Sequence, residues 1–211
     1  KYQLFRKVVL IDQYVVGVIC VCTGVLWHDF ISVWLGKEYV ISDALMYSVL
    51  LNFMWRVQVT PLAMFRDTNG LFVYVRRMVL INAGLNIVLS LAFGRVIGVP
   101  GVYIATVIAD ILTDFWFDAR LLYEKLFRRK GFWKYDLVAF GTCCANLVVV
   151  YLLRRALDGL GASLPMWAVK GAVAALAYTL VYVLVCGRTQ VFRDVLNQIV
   201  LPRLRRKKAA Q

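Results

Sequence analysis

GVPGVYIATVIADILTDFWFDARLLYEKLFRRK, residues 98–130, opens like a membrane span and closes like a membrane surface. Residues 98–109 are small, apolar or β-branched and carry no charge. Asp110, Asp114 and Asp118 then follow at intervals of four, and the stretch ends in Arg128, Arg129 and Lys130. A helix turns about 400° in four residues, so the three acids share one side and drift about 40° per step. Three carboxylates facing lipid are costly to insert. The stripe is therefore expected to face protein or water, as a cavity wall.

The rest of the chain has the same character. Of 211 residues, 62% are hydrophobic, and the mean hydropathy is +0.71. An ordinary globular domain is about 45–50% apolar, so this excess points to a membrane protein. The net charge is +13, yet charged residues make up only 18% and lie between the apolar runs. That places the basic excess at a membrane surface and makes nucleic acid an unexpected partner. Cys20, Cys22, Cys143, Cys144 and Cys186 lie within apolar runs, and His28 is the single histidine. No zinc spacing results, and the cysteines read as small apolar fillers. There is no Walker loop, dinucleotide motif or Ser/His/Asp set. No enzyme activity and no cofactor are expected. The chain starts at Lys1 with neither an initiator Met nor a signal peptide, and is read as a piece of a longer protein.

Six stretches have the length of a helical span: 8–26, 41–65, 78–93, 99–117, 137–153 and 167–186. Their continuous apolarity predicts helices, because a barrel strand would alternate. The connections include HDFISVWLGKEY and RDTNGLFVYVRR. Lys and Arg concentrate in every second connection, which places both termini of this segment in the cytoplasm. The fold class expected is an all-α membrane protein with six transmembrane helices in residues 1–187. Residues 188–211 form a cytoplasmic tail: either an amphipathic interfacial helix over 191–200, stopped by Pro202 and followed by RLRRKK, or a plain stop-transfer tail.

Ionisable and amide residues at depth are the site candidates. Arg56 lies nine residues above Phe65 and Asp110 nine above Ala119, each about 13 Å above the inner boundary. Two readings stay open for Arg56: a wall of a polar cavity shared with Asp110, or a side chain that snorkels or bonds to carbonyls. Asp114 is intermediate in depth, and Asp118 is expected to be hydrated at the interface. Asn82 and Asn86, with Ser90, lie along one face of the third span, and Asn52 and Gln58 flank Arg56. Interhelical hydrogen bonding is the common use of such amides, with ligand contact the alternative. Arg154, Arg155 and Lys170 read as outer-interface residues, and Pro61 as a static kink or a hinge in the second span.

WLGKEY at 34–39, TPLAMFRDTNG at 60–70, INAGLNIVLSLAF at 81–93 and VIGVPGVYIAT at 96–106 occur in an order that is similar to one known family. Over about residues 5–120 the chain resembles the polysaccharide-biosynthesis transporters, the O-antigen and lipid-linked oligosaccharide flippases of the multidrug/oligosaccharidyl-lipid/polysaccharide exporter superfamily. The resemblance implies the C-terminal part of a two-lobed 12–14-helix transporter, with the upstream half of the same protein as partner. It implies alternating access in a bacterial or archaeal cytoplasmic membrane. The substrate implied is an undecaprenyl-diphosphate-linked glycan, the precursor of lipopolysaccharide or another polysaccharide. Arg56, Asp110, Asp114, Asn52 and Asn86 are the substrate-cavity candidates on depth and charge alone, and H⁺ or Na⁺ is the possible coupling ion. The rival readings are a cation-coupled drug or solute exporter of the same fold, with Asp110 as the ion site, and a membrane scaffold subunit of a glycan synthase.

Overall fold

The computed structural model describes residues 1–159 and 164–197, and every regular element among them is helical. Helix α1 is Tyr2–Trp34, followed by a single 3-10 turn at Lys37–Tyr39. Helices α2 (Asp43–Thr68), α3 (Phe72–Ile97), α4 (Val99–Leu126), α5 (Trp133–Leu157) and α6 (Leu164–Cys186) follow, and α7 (Gln190–Val195) closes the described chain. The helices outrun the apolar stretches. HDFISVW, expected in a connection, continues α1 to Trp34, and α4 runs on to Leu126. Hydropathy marks where lipid begins and ends, but polar residues do not stop a helix.

Local chemistry explains the turns. The Ser42 hydroxyl accepts a hydrogen bond from the Leu45 amide at 3.3 Å, and Asp43 complements the positive end of α2. Gly98, at φ 77°, ends α3 and begins α4. Pro100 sits in the first turn of α4, where its missing amide costs nothing. A Cβ at position 101 would collide with the Phe93 carbonyl, so Gly101 lets the two helices of this hairpin close on each other. Helix α2 passes through the buried Pro61 and continues to Thr68.

Cross-helix bonds set the topology. Lys1 meets Asn69, Gln13 meets Gln58, and His28 meets Asp43, so α1 and α2 are antiparallel along their length. Asn52 bonds Tyr103 and Arg66 bonds Asp118, which makes α4 parallel to α2. Tyr135 donates to the Gln58 carbonyl and Arg154 pairs with Asp43, so α5 runs with α1. Tyr182 donates to the Leu10 carbonyl and Lys170 pairs with Asp29, so α6 runs against it. Lys1 and α7, which packs on α1, therefore lie at the same end of the bundle.

Buried Val21, Met54, Leu62, Leu122, Ala139 and Tyr178 join α1, α2, α4, α5 and α6 in one core. Helix α3 contributes nothing to it. Of its 26 residues only Val75 is buried, while Leu80 is 74% and Val96 82% exposed.

Among the described residues, five helices are long and apolar enough to cross a membrane: α1, α3, α4, α5 and α6. The sixth expected span, 41–65, does form a helix, α2, but Asn52, Arg56 and Gln58 hold it below that apolarity. Helix α7 covers the first part of the expected amphipathic segment. It is capped by the Thr189 hydroxyl, with Val191 and Val195 buried. Residues from 198 onward, including Pro202 and RLRRKK, lie outside the described residues.

Candidate functional site

The opening stretch folds into α4, and its three acids do not share one environment. The helix is regular to Asp110, widens to π-helical geometry over Ile111–Phe115, returns to α over Trp116–Leu121, and widens again over Leu122–Leu126. An i→i+5 turn holds more residues than an i→i+4 turn, so a four-residue step no longer overshoots by the full α-helical amount. Side chains serve the widened backbone: the Thr113 hydroxyl donates to the Ala109 carbonyl at 2.6 Å, and Trp116 Nε1 to the Leu112 carbonyl at 3.0 Å.

Asp110 is 5% exposed. Its Oδ1 accepts from Asn82 Nδ2 at 2.9 Å, and the same amide donates to Thr113 Oγ1 at 2.8 Å, which ties α3 to α4. Asp110 Oδ2 is buried with no hydrogen-bond partner, as are Asp114 Oδ1 and Asp118 Oδ1. Asp118, expected to be hydrated, is instead 1% exposed. Its Oδ2 accepts from Arg66 Nη1 at 2.6 Å, while Arg66 Nε holds Asp67 at 2.8 Å. Burial of this carboxylate stands only because a cation reaches it.

Arg56 and Asp110 do not pair. The offsets of 51 and 52 between bonded residues of α2 and α4 put Arg56 level with residues 107–108, within a turn of Asp110. Yet the Arg56 side chain is exposed, and the carboxylate it acts on electrostatically is Asp114, together with Arg66. Asn52 donates to the Tyr103 carbonyl at 3.4 Å across α2 and α4. Asn86 accepts from Ser90 Oγ on its own helix and takes no part in the cluster. The result is a polar seam along α4: Arg56 and Arg66 from α2, Asn82 from α3, and Asp110, Thr113, Asp114 and Asp118 from α4.

Sequence reasoning missed Arg66 and Thr113 as members of this seam, and it set Asp118 on the acidic stripe but expected it to be hydrated rather than paired. A signal for the Arg66–Asp118 pair existed. Arg66 lies one residue past Phe65 and Asp118 one before Ala119, the same boundary residues that matched Arg56 with Asp110. Thr113 carried none, because its role depends on the widened turn.

A second polar cluster lies at the opposite end. Lys170, expected at the outer interface, is 4% exposed, with Nζ 2.5 Å from Asp29 Oδ2. Arg154 and His28 both sit 2.9 Å from Asp43 Oδ1, and Arg154 also reaches Met46 Sδ. These pairs join α1, α2, α5 and α6.

Among the described residues no group of His, Cys, Asp and Glu could hold a metal ion. Cys20 and Cys143 are buried, and the five thiols are unpaired. What the seam can do chemically is hold charge: carboxylates outnumber the guanidinium groups facing them. Comparison with known proteins finds no matching family model, no matching curated protein and no matching solved structure.

Proposed function

We propose that this chain is the C-terminal part of a multi-pass transporter that moves lipid-linked oligosaccharide across a bacterial or archaeal cytoplasmic membrane by alternating access. In this reading α2 is the sixth span. At 1.5 Å per residue its 26 residues reach about 39 Å, beyond the roughly 30 Å of a bilayer core. It runs antiparallel to α1 along its length. The polybasic end that carries Lys1 and α7 then faces the cytoplasm. The upstream part of the same protein would supply the facing lobe, and the apolar flank of α3 would meet it or lipid. The family assignment rests on the ordered stretches WLGKEY, INAGLNIVLSLAF and VIGVPGVYIAT.

One observation carries the transport reading: the seam on α4 holds three carboxylates against two guanidinium groups, with unbonded oxygens on all three acids. A buried charge without its complement is expensive in a membrane. Such a seam has use for a charge that arrives and leaves. Arg56, exposed beside Asp114, is the group available to a diphosphate or an acidic sugar. Asp110, with a free buried oxygen, is the group available to a proton or Na⁺, and this favours cation coupling as a second reading of the same site.

Proteoliposomes holding the full-length protein test both readings. Outer-leaflet arrival of lipid-linked oligosaccharide is read by an added glycosidase. Arg56→Ala is expected to lower the rate by at least about tenfold, the loss of one charged hydrogen bond, at unchanged reconstitution. Wild-type rates in Arg56→Ala would rule out its cavity role. Asp110→Asn keeps the shape and removes the charge, so it is expected to abolish any dependence on a Na⁺ or pH gradient. A full-length protein that moves nothing yet co-purifies with a glycan synthase would favour the scaffold reading.

A further inference from the structure

At the Lys1 end of the bundle, α1, α5 and α7 enclose a cleft of 410 Å³. Phe5, Val9 and Val138 give it apolar lining, and Arg6 and Lys134 line it as well. Both cations are exposed, and neither forms an ion pair among the described residues. Arg6 stacks on the Tyr2 ring and Lys134 on the Trp133 ring, which aims the charges without neutralising them. The neighbouring acids, Asp12 and Asp136, act electrostatically on Tyr135 and do not line the cleft.

A second cleft of 380 Å³ lies beside the first, and Leu10 lines both. It is lined by Tyr14, Thr179 and Tyr182 and by Phe192 and Val195 of α7. Helix α7 thus stands between the two, with Val191 turned to the cationic cleft and Phe192 to the apolar one. Arg6 lies two residues before the apolar run 8–26, and Lys134 three before 137–153. On the membrane reading both charges stand where a bilayer core gives way to headgroups, with the apolar cleft alongside.

We propose that these neighbouring clefts bind one anionic glycerophospholipid, its phosphate between Arg6 and Lys134 and an acyl chain laid past Leu10 into the groove behind α7. Charge complementarity selects an anionic headgroup over a zwitterionic one, and the apolar groove selects a lipid over a free phosphate. The inference needs only that the chain lies in a membrane; it does not depend on what is transported.

Native mass spectrometry of the full-length protein in detergent tests it. Phosphatidylglycerol, phosphatidylcholine or inorganic phosphate is added in turn. Wild type is expected to retain phosphatidylglycerol over phosphatidylcholine by at least about fivefold per surface charge. The Arg6→Gln, Lys134→Gln double variant is expected to lose that preference with an unchanged Tm, because both side chains are exposed. Arg155→Gln, at the other end of the bundle, is expected to keep it. Leu10→Trp, which adds bulk at the residue lining both clefts, is expected to weaken lipid retention while leaving Arg6 and Lys134 in place. Equal retention of the two lipids, full retention by the double variant, or displacement of the lipid by inorganic phosphate would each overturn the proposal. Transport can fail in the proteoliposome assay without touching this result.

Discussion

At the residue scale, chemically similar side chains on α3 and α4 have unequal work. Asn82 and Asn86 are the same residue one turn apart, yet Asn82 holds both Asp110 and Thr113 while Asn86 bonds only its own helix. Asn82→Ala strips Asp110 of its hydrogen bond and is expected to cost about 1–3 kcal/mol. Asn86→Ala is expected to stay within about 0.5 kcal/mol. Thermal unfolding in detergent compares them, and equal losses would refute the bridging role of Asn82. The Arg66–Asp118 pair makes a sharper case. Arg66→Leu leaves a buried carboxylate alone, an expected loss of about 3–5 kcal/mol, whereas Arg66→Leu with Asp118→Leu removes both charges and is expected to regain most of it. A double variant as unstable as the single would show that packing, not charge, dominates there.

At the element scale, close approach and widened turns shape the α3–α4 hairpin. Gly101→Val places a side chain against the Phe93 carbonyl and is expected to open the hairpin, lowering Tm by several degrees. Gly84→Ala, which points into open space on α3, is expected to leave Tm unchanged or slightly raised. The π-helical segment Ile111–Phe115 already accommodates more residues than an α turn. Deleting the exposed Leu112 is therefore expected to let α4 relax to a regular helix that still delivers Asp118 to Arg66. Deleting exposed Val88 from the regular α3 turns all that follows by about 100° and is expected to abolish stable expression. Similar yields for the two deletions would remove the argument from the widened turn.

At the scale of the whole molecule, the antiparallel order of α1 to α6 puts Lys1 and α7 at one end and Asp29, Asp43 and Lys170 at the other. The proposed cytoplasmic orientation of the Lys1 end is checked by thiol labelling in cells, in a background without native cysteines. A Cys at position 37 is expected to react with a membrane-impermeant maleimide in intact cells, and one at position 128 only after permeabilisation. The reverse pattern would invert the orientation, and labelling of both from outside would remove α2 or one of its neighbours as a span.

The sequence by itself determined the helical, membrane-suited character of this protein and the concentration of basic residues in alternate connections. Those features follow from hydropathy and backbone hydrogen bonding, which act locally along the chain. Matching depth was also legible, since rise per residue converts position into height and placed Arg56 near the level of Asp110. Which side chains meet across that height was decided only by the tertiary structure. Helix rotation and neighbour choice come from packing among residues far apart in sequence, such as Gly101 against Phe93. They turned Arg56 outward toward Asp114, gave Asp110 to Asn82, and buried Asp118 on Arg66. Hydropathy marks α2 as less apolar than α3, but only the assembled bundle makes α2 an inner helix and leaves α3 at the edge.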